Sequence, residues 1–435
     1  MGACGTRATL KGNTKRIYAW ALYDWANSAF ATTVMAGFFP AFFKQYWGSG
    51  IGDSSSTLYL GLANSLSSIV VVLVAPLLGA MADRSNQRRR FLAIFAFTGA
   101  LMTGCLHLVE PGNWQSAALV YVAATVGFSL ANTFYDSLLG FVAPSEKVDA
   151  ISALGYGVGY FGGGLLFAAN LYVVIHPQVV GLPDAAAAVR WSFLSVALWW
   201  ILFTLPILLF VKEGAPAQRE RPGGWSSLVG GYRQLHETLS HIRQLPHLLT
   251  FLLAYWLYID GVDTVVRMAV DYGLSLGFGR DSLLTALLIT QFVGFPSAIA
   301  FALISNRIGT RSSLFIGIAF YIGATVWAYF IEAVWEFYGI AVVVGLVQGG
   351  VQALSRSLYQ RLIPPGKTAE FFGFYNMLGK FAAVLGPILM GWTSVLLGSP
   401  RASILSILVL FVGGALLLAK VNIEQGQRQA QTFMH

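Results

Sequence analysis

Several ionisable side chains interrupt the apolar stretches of this sequence, and their types could bind a proton or a charged solute. A carboxylate takes up and releases protons, whereas a guanidinium or ammonium group can hold the carboxylate of a ligand. Each such group costs about 2.5–3.5 kcal/mol to place inside an apolar span, so a purely structural span would avoid it. We therefore predict a substrate and proton pathway formed by Asp24, Asn27, Asp136, Asp260, Asp263, Arg267, Arg356 and Lys380.

The seventh apolar stretch contains three of these residues close together. Asp263 and Arg267 are four residues apart, so on a helix they share a face and can neutralise each other. Asp260 has no such local partner, which makes it the candidate for the residue that carries a coupling proton. Among the ionisable groups four carboxyls stand against three cations, so that one carboxyl is left in excess.

Asp24 begins a polar stripe in the first stretch. Asn27 and Ser28 follow it at three- and four-residue spacing and would lie on the same face of a helix. The stripe could line a pathway, or Asp24 could only hydrogen-bond a neighbouring helix. The residues themselves leave both interpretations open.

Asp136 and Arg356 are 220 residues apart, and the same offset places Pro144 on Pro364. The two charged residues would therefore occupy equivalent positions in two halves of the chain. An acid and a base so placed could form a clamp across the halves, and the alternative is a separate pair within each half. Lys380, in the eleventh stretch, could hold a carboxylate of the substrate.

Twelve apolar segments carry these residues, and each is long enough to form a membrane-spanning helix. A span needs about 20 mainly apolar residues, at 1.5 Å rise each, to cross a core of about 30 Å. The segments are 17–43, 58–80, 91–109, 115–142, 151–175, 191–211, 248–272, 282–304, 313–331, 337–362, 372–397 and 402–419. Charged residues make up 11% of the chain, against about 25% in a soluble domain. The predicted fold is an all-α membrane protein with twelve transmembrane helices.

The net charge of +8 reflects membrane topology rather than nucleic-acid binding. With both termini in the cytoplasm, most of the 27 Lys and Arg residues fall on the cytoplasmic side. The residues on the opposite side are Lys44, Arg190, Arg280 and Arg401. This asymmetry follows the positive-inside rule. We expect a multi-pass protein that contacts the lipid bilayer and no nucleic acid.

The twelve segments divide into two six-helix bundles, residues 1–211 and 248–435, joined by a polar linker at 212–247. Apolar residues recur in the linker at steps of three or four, at Leu228, Tyr232, Leu235, Leu239 and Ile242. This spacing predicts an amphipathic helix on the cytoplasmic membrane surface. At an offset of 223, the loop at 83–88 falls on the loop at 306–311, which favours two pseudo-symmetric repeats.

The basic loop after the second segment resembles the loop signature of the major facilitator superfamily. The matching residues are Gly79, Asp83, Arg84 and Arg88. The resemblance implies a cytoplasmic gate in which the acid caps and pairs across neighbouring helices and the basic residues hold the helix ends together. Asn86 stands where the signature has glycine. Because asparagine also tolerates a left-handed backbone, we predict that the turn is kept.

Three further runs resemble the autophagy-related vacuolar amino-acid effluxer family. They are Tyr23-Asp24-Trp25-Ala26-Asn27-Ser28-Ala29-Phe30, then Tyr258-x-Asp260-Gly261-Val262, then Glu370-Phe371-Phe372-Gly373-Phe374-Tyr375 with Gly379-Lys380 and Gly386-Pro387. The resemblance covers the whole chain and implies a twelve-span transporter, which in vacuolar members exports amino acids to the cytosol. Bacterial members are called the unknown major facilitator family, and for them it implies the plasma (inner) membrane.

The sequence thus predicts a secondary active transporter that moves a small solute, an amino acid or related metabolite, by alternating access with proton coupling. An enzyme is disfavoured, because His236 and His241 are five residues apart and lie on different helix faces for one metal. We expect no cofactor, no metal and a monomer. Two alternatives stay open on the same fold: a lipid or lysolipid flippase, and a sensor that transports nothing.

Overall fold

The computed structural model describes residues 2–50, 53–213, 242–397 and 400–432 of the chain. Over these residues the regular structure is helical, with twelve long helices that follow the predicted spans in order. They are α1 (Gly2–Ala29), α2 (Asp53–Ser85), α3 (Arg88–Cys105), α4 (Trp114–Ser137), α5 (Val148–Ile175), α6 (Ala185–Phe210), α7 (Pro246–Ser275), α8 (Arg280–Ile308), α9 (Thr310–Phe330), α10 (Val334–Leu362), α11 (Thr368–Leu397) and α12 (Leu408–Ala419). A polar helix, α13 (Ile423–Thr432), follows them.

Among the described residues, ten helices are long and apolar enough to cross a membrane. The remaining two predicted spans, the first and the eleventh, also coincide with helical segments, in α1 with its continuation and in α11. A lipid phase offers no partners to backbone N–H and C=O groups, so each span satisfies them within a helix. The helical architecture is therefore what the apolar composition of the spans requires.

The first span departs from a regular α-helix. After α1 the chain forms π-helix over Phe30–Phe38, a short α-helix over Phe39–Phe42 and a second π segment over Phe43–Trp47. Pro40 stands in the first turn of the short α-helix and has no N–H to donate, so the preceding turns cannot close in the ordinary pattern. Widened turns of this kind are frequent at functional sites.

The chain packs as two compact units. The first comprises residues 1–74, 86–143 and 158–216, and the second comprises residues 75–85, 144–157 and 217–435. The end of α2 and the start of α5 thus belong with the second unit. The boundaries at 211 and 248 between two six-helix bundles stay a prediction, and the linker helix lies outside the described residues except for Ile242, which is buried.

Each unit has its own apolar core. In the first unit aromatic rings stack: the ring centroids of Phe39 and Tyr121 are 3.8 Å apart, and those of Trp20 and Tyr135 are 4.5 Å apart. In the second unit one cluster of buried side chains includes Leu248 of α7 and Leu410 of α12. Large rings that stack in this way fix which face each helix turns to its neighbours.

Candidate functional site

The polar stripe of α1 holds α4 in the first unit. The Tyr135 hydroxyl donates to Asp24 Oδ2 at 2.7 Å, and Asn27 Nδ2 donates to Asn132 Oδ1 at 2.5 Å. The Trp20 ring stacks on the same tyrosine and donates from Nε1 to its carbonyl oxygen at 3.1 Å. The two candidate residues of the first span therefore join α1 to α4 through side chains that the sequence analysis did not single out.

Helix α5 approaches this stripe closely because it presents glycine. A Cβ on Gly159 would lie 2.7 Å from Ser28 Oγ and 3.2 Å from Asp24 Cβ. Asp136 is buried on α4 in the same unit. Arg356 belongs to the second unit, so the predicted clamp between Asp136 and Arg356 stays a prediction.

Arg356 is buried on α10 against the first turns of α5. Its Nε donates to Ser152 Oγ and its Nη2 to the Ser152 carbonyl oxygen, both at 2.9 Å. The guanidinium also lies over the Tyr156 ring, 4.2 Å from the centroid. Ser152 in turn donates to the Ala353 carbonyl at 2.8 Å. Ser152 and Tyr156 are four residues apart on one face of α5, and that spacing was the signal available in the sequence.

Asp149 is a functional candidate that the sequence analysis missed. Its carboxylate accepts hydrogen bonds from three hydroxyls and pairs with one guanidinium. The partners are Ser305 at 2.6 Å, Thr310 at 2.7 Å, Ser357 at 2.5 Å and Arg361 at 3.0 Å. The first turn of α5 is thus tied to the end of α8, the start of α9 and the end of α10 by one buried carboxylate.

Asp83, in the last turns of α2, caps the N-terminus of α11. Its two carboxylate oxygens accept the backbone N–H groups of Ala369 at 3.0 Å and Glu370 at 2.8 Å. Gly79 allows this approach, because a Cβ there would overlap the backbone of Ala369. A carboxylate is favoured at this place, since the first N–H groups of a helix have no intrahelical partner. Arg84 stands beside it in the last turn of α2.

Arg88 begins α3 and is held within the first unit. Its backbone N–H and its guanidinium both donate to Glu213, at 2.9 and 3.5 Å, and the guanidinium also donates to Asn86 Oδ1 at 2.7 Å. It lies over the Phe141 ring, 4.7 Å from the centroid. Asn86 has a φ of 50°, so the predicted left-handed turn is confirmed.

The α2–α11 contact has a counterpart within the second unit. The offset of 220 places Asp149 on Ala369, and the offset of 223 places Asn86 on Gly309, whose φ is 86°. In both contacts, therefore, the start of one helix meets the loop region between two others, and the positions involved are equivalent in the two repeats. The two contacts differ in which partner supplies the carboxylate. In the α2–α11 contact Asp83 supplies it from the end of α2, just before the loop, whereas in the second contact Asp149 supplies it from the start of α5.

Asp260 is fully buried on α7 and has partners that the sequence did not suggest, so the expectation that it lacks a local partner was wrong. Its carboxylate accepts the backbone N–H of Leu385 at 3.1 Å and of Gly386 at 2.9 Å, and the Thr264 hydroxyl at 3.3 Å. The two N–H groups precede Pro387, which has none. Proline removes one hydrogen bond from the helix at this point, and the two N–H groups before it reach the carboxylate.

Gly386→Ala tests this packing. A Cβ at Gly386 would overlap the Thr264 side chain and lie 2.9 Å from Asp260 Oδ1. We expect the overpacking to cost about 1–3 kcal/mol, seen as a lower melting temperature in detergent. Gly391→Ala on the same helix is the matched control, because nothing lies within 4 Å of its added Cβ. Equal melting temperatures for the two variants would contradict this packing.

The structure describes fewer contacts for the remaining candidate residues. Asp263 is half-buried, one turn along α7 from Asp260. The side chains of Arg267 and Lys380 lie outside the described residues, so the pairing of Asp263 with Arg267 and the role of Lys380 stay predictions.

Comparison with known proteins finds a family and relatives that match nearly the whole chain. It matches the family described as "Vacuole effluxer Atg22 like" over residues 12–149 and 141–431. The MFS-type transporter YxiO of Bacillus subtilis (strain 168) is 37% identical over 417 residues, which cover 95% of this chain and 96% of that protein. Autophagy-related protein 22 of Yarrowia lipolytica (strain CLIB 122 / E 150) is 25% identical, over 90% of this chain and 80% of the relative.

Solved structures share the fold. The human organic anion transporter MFSD10 (TETRAN) superposes with a TM-score of 0.69 at 14% identity, over 93% of this chain and 99% of that one. The proton:xylose symporter XylE superposes with the same TM-score of 0.69, also at 14% identity, over 94% of this chain and 95% of that one. These matches confirm the predicted twelve-helix major facilitator fold.

The predictions of a membrane transporter and of no enzymatic activity are confirmed together. YxiO is an MFS-type transporter, the matched family is described as an effluxer, and the two structural neighbours are a transporter and a symporter. The chain is accordingly an integral, multi-pass membrane protein and a secondary transporter. It belongs to the Atg22-like vacuole effluxer family.

Proposed function

We propose that this protein moves an amino acid or a related small metabolite by alternating access, with proton movement as the driving force. The family description of an effluxer supports an export direction, and the solute class is the one implied by the resemblance of the three sequence runs. Proton coupling has a precedent on this fold in the proton:xylose symporter XylE. The transporter is proposed to work as a monomer in the bacterial plasma membrane.

The observation that carries alternating access is the pair of polar contacts in the second unit. One joins Asp83 to the start of α11 through two hydrogen bonds, and the other joins Asp149 to Ser305 and Thr310. Such contacts can break and re-form, unlike an interdigitated apolar core. On the topology expected from the charge distribution, both lie at the cytoplasmic end and would close the pathway there.

Asp83→Ala tests whether the α2–α11 contact keeps that end closed. Two charge-assisted bonds to helix N–H groups are worth about 1–2 kcal/mol, so their loss should raise the open population about 5- to 30-fold. The readout is alkylation of Ala369→Cys, a buried position, by a membrane-impermeant maleimide in inside-out vesicles. Cys4 and Cys105 are replaced by alanine beforehand.

Arg90→Ala is the matched control for this measurement. Arg90 lies nearby in the sequence, in the first turn of α3, is exposed, and donates at 3.3 Å to Gln87, so its removal should leave the alkylation rate unchanged. Alkylation that is no faster in the Asp83 variant would exclude a role for this contact in closure.

The solute is identified in two steps. A thermal-shift screen over amino acids, peptides, sugars and lysolipids reports binding, because a ligand that binds only the folded state raises the melting temperature. Uptake of the radiolabelled hit into proteoliposomes under an imposed pH gradient then reports transport. Stabilisation by lysolipids alone would contradict a solute transporter and favour a flippase, whereas binding without flux would favour a sensor.

A further inference from the structure

We propose that Asp260 is a detachable N-cap for the C-terminal part of α11, so that proton occupancy of Asp260 determines whether that part of the helix stays docked on α7. The inference rests on the proton coupling proposed above and adds the conformational change that the proton would drive. Thr264 and Gly386 are its positioning residues.

The hydrogen bonds around Asp260 are those of a helix start, although they occur inside a helix. The N–H groups of Leu385 and Gly386 point to one carboxylate, and Pro387 follows without an N–H. At a true N-terminus the first N–H groups also need a side-chain acceptor, and proline is favoured in the first turn. Residues 385–397 are therefore a segment of the continuous helix α11 whose first N–H groups are capped in trans from α7.

Such a cap depends on the charge of its acceptor. Two backbone N–H donors and the positive end of a helix dipole stabilise Asp260 as an anion. Protonation places a hydrogen on one oxygen, which then donates and no longer accepts strongly. In an apolar surrounding, the N–H that loses its acceptor must find another partner, and the helix can supply one by straightening.

The Asp260 carboxylate is held by close packing on one side, and a small cavity lies near it on another. Gly386 admits the Thr264 hydroxyl, which donates to Asp260 at 3.3 Å. A cavity of about 40 Å³ borders Thr264 on one side, and Met390, one turn beyond Pro387, lines it as well. Its walls are otherwise almost wholly apolar, so it favours an empty space over ordered water. The Met390 side chain can therefore adjust into this space when that part of α11 moves.

The helices that pack on α7 differ in the charged side chains that they carry. Asp263 on α7 acts on it electrostatically and also acts on Tyr321 of α9. On α10, Arg356 is engaged by α5. The side chain of Lys380 on α11 lies outside the described residues. Helix α12, which packs on α7, carries no titratable side chain. Asp263 is accordingly the control position for any effect of pH.

Hydrogen–deuterium exchange in lipid nanodiscs tests the cap without substrate or gradient. Peptides containing Leu385 and Gly386 are followed at about pH 8 and about pH 5, and rates are corrected for intrinsic exchange. In the unmodified protein we expect corrected exchange to rise about fivefold to tenfold at the lower pH, as for loss of a helix cap. Asp263→Asn should behave the same way.

Two substitutions of Asp260 separate charge from shape. Asn is itself a good N-cap and preserves the fold, so Asp260→Asn should give protection that no longer changes with pH. Asp260→Ala should exchange fast at both pH values. Exchange that is independent of pH in the unmodified protein, or that depends on pH in Asp260→Asn, would overturn the cap.

Proton-driven uptake in proteoliposomes and hydrogen–deuterium exchange of α11 test two separate claims. A cap that responds to pH without proton-driven uptake would overturn the proposed coupling and leave the cap intact. Proton-driven uptake with an unresponsive cap would overturn only the inference about α11.

Discussion

Asp149→Ala is expected to lower the free energy of unfolding by about 3 kcal/mol, the largest loss of stability among these substitutions. The change leaves the Arg361 guanidinium without its carboxylate and removes the acceptor of three hydroxyls. The Arg361 side chain is 23% exposed, so water compensates part of its charge and the value lies at the low end for a broken buried pair. Thermal unfolding in detergent should show a decrease of about 5 °C.

Two further variants test whether the decrease in melting temperature comes from the loss of the Asp149 contacts. Asp149→Asn keeps an acceptor for the hydroxyls but loses the charge, so it should fall between the alanine variant and the unmodified protein. Glu146→Ala changes an exposed acid three residues away and should have no effect. If Asp149→Ala melts like Glu146→Ala, then Asp149 does not hold α5 to its neighbours.

Asp260→Asn is expected to abolish accumulation driven by a pH gradient while leaving exchange of labelled for unlabelled solute within a few-fold of normal. A gradient of one pH unit stores 1.36 kcal/mol, so transport with one proton should concentrate the solute about tenfold. An amide cannot carry that proton, and the accumulation ratio should fall to about one. Because asparagine can still cap α11, the loss should not come from misfolding.

The measurement is uptake and counterflow of the same radiolabelled amino acid in proteoliposomes. Asp263→Asn, one turn away on the same helix, serves as the control and should keep most of the accumulation. Accumulation by Asp260→Asn equal to that of the unmodified protein would show that this carboxyl is not the proton carrier.

The spans were predictable from the sequence because bilayer thickness imposes a length and an apolar composition on each of them. The turn at Asn86 was predictable for a local reason, since few residues tolerate a positive φ. Both properties can be read within one segment and need no knowledge of which helices pack together.

The polar contacts were not predictable in the same way. Asp149 stands at the edge of a span, and hydroxyl groups more than 150 residues away complete its site. Serine and threonine are common, so no pattern marked them. Asp260 is satisfied by backbone N–H groups, which every residue but proline has, and Pro387 was the one indirect sign of their availability. The π turns after α1 lie in a mostly apolar segment, where the sequence pattern does not distinguish a π-helix from an α-helix.

The exchange of roles between Asp83 and Asp149 has a consequence for the order of events. The α2–α11 contact consists of a carboxylate and two backbone N–H groups, whereas the Asp149 contact combines three hydroxyls and an ion pair. Because these two polar contacts differ in strength, we expect the weaker one to break before the stronger one. On the proposed topology, the cytoplasmic end should therefore open through an intermediate in which α11 has separated from α2 while Asp149 still holds α5.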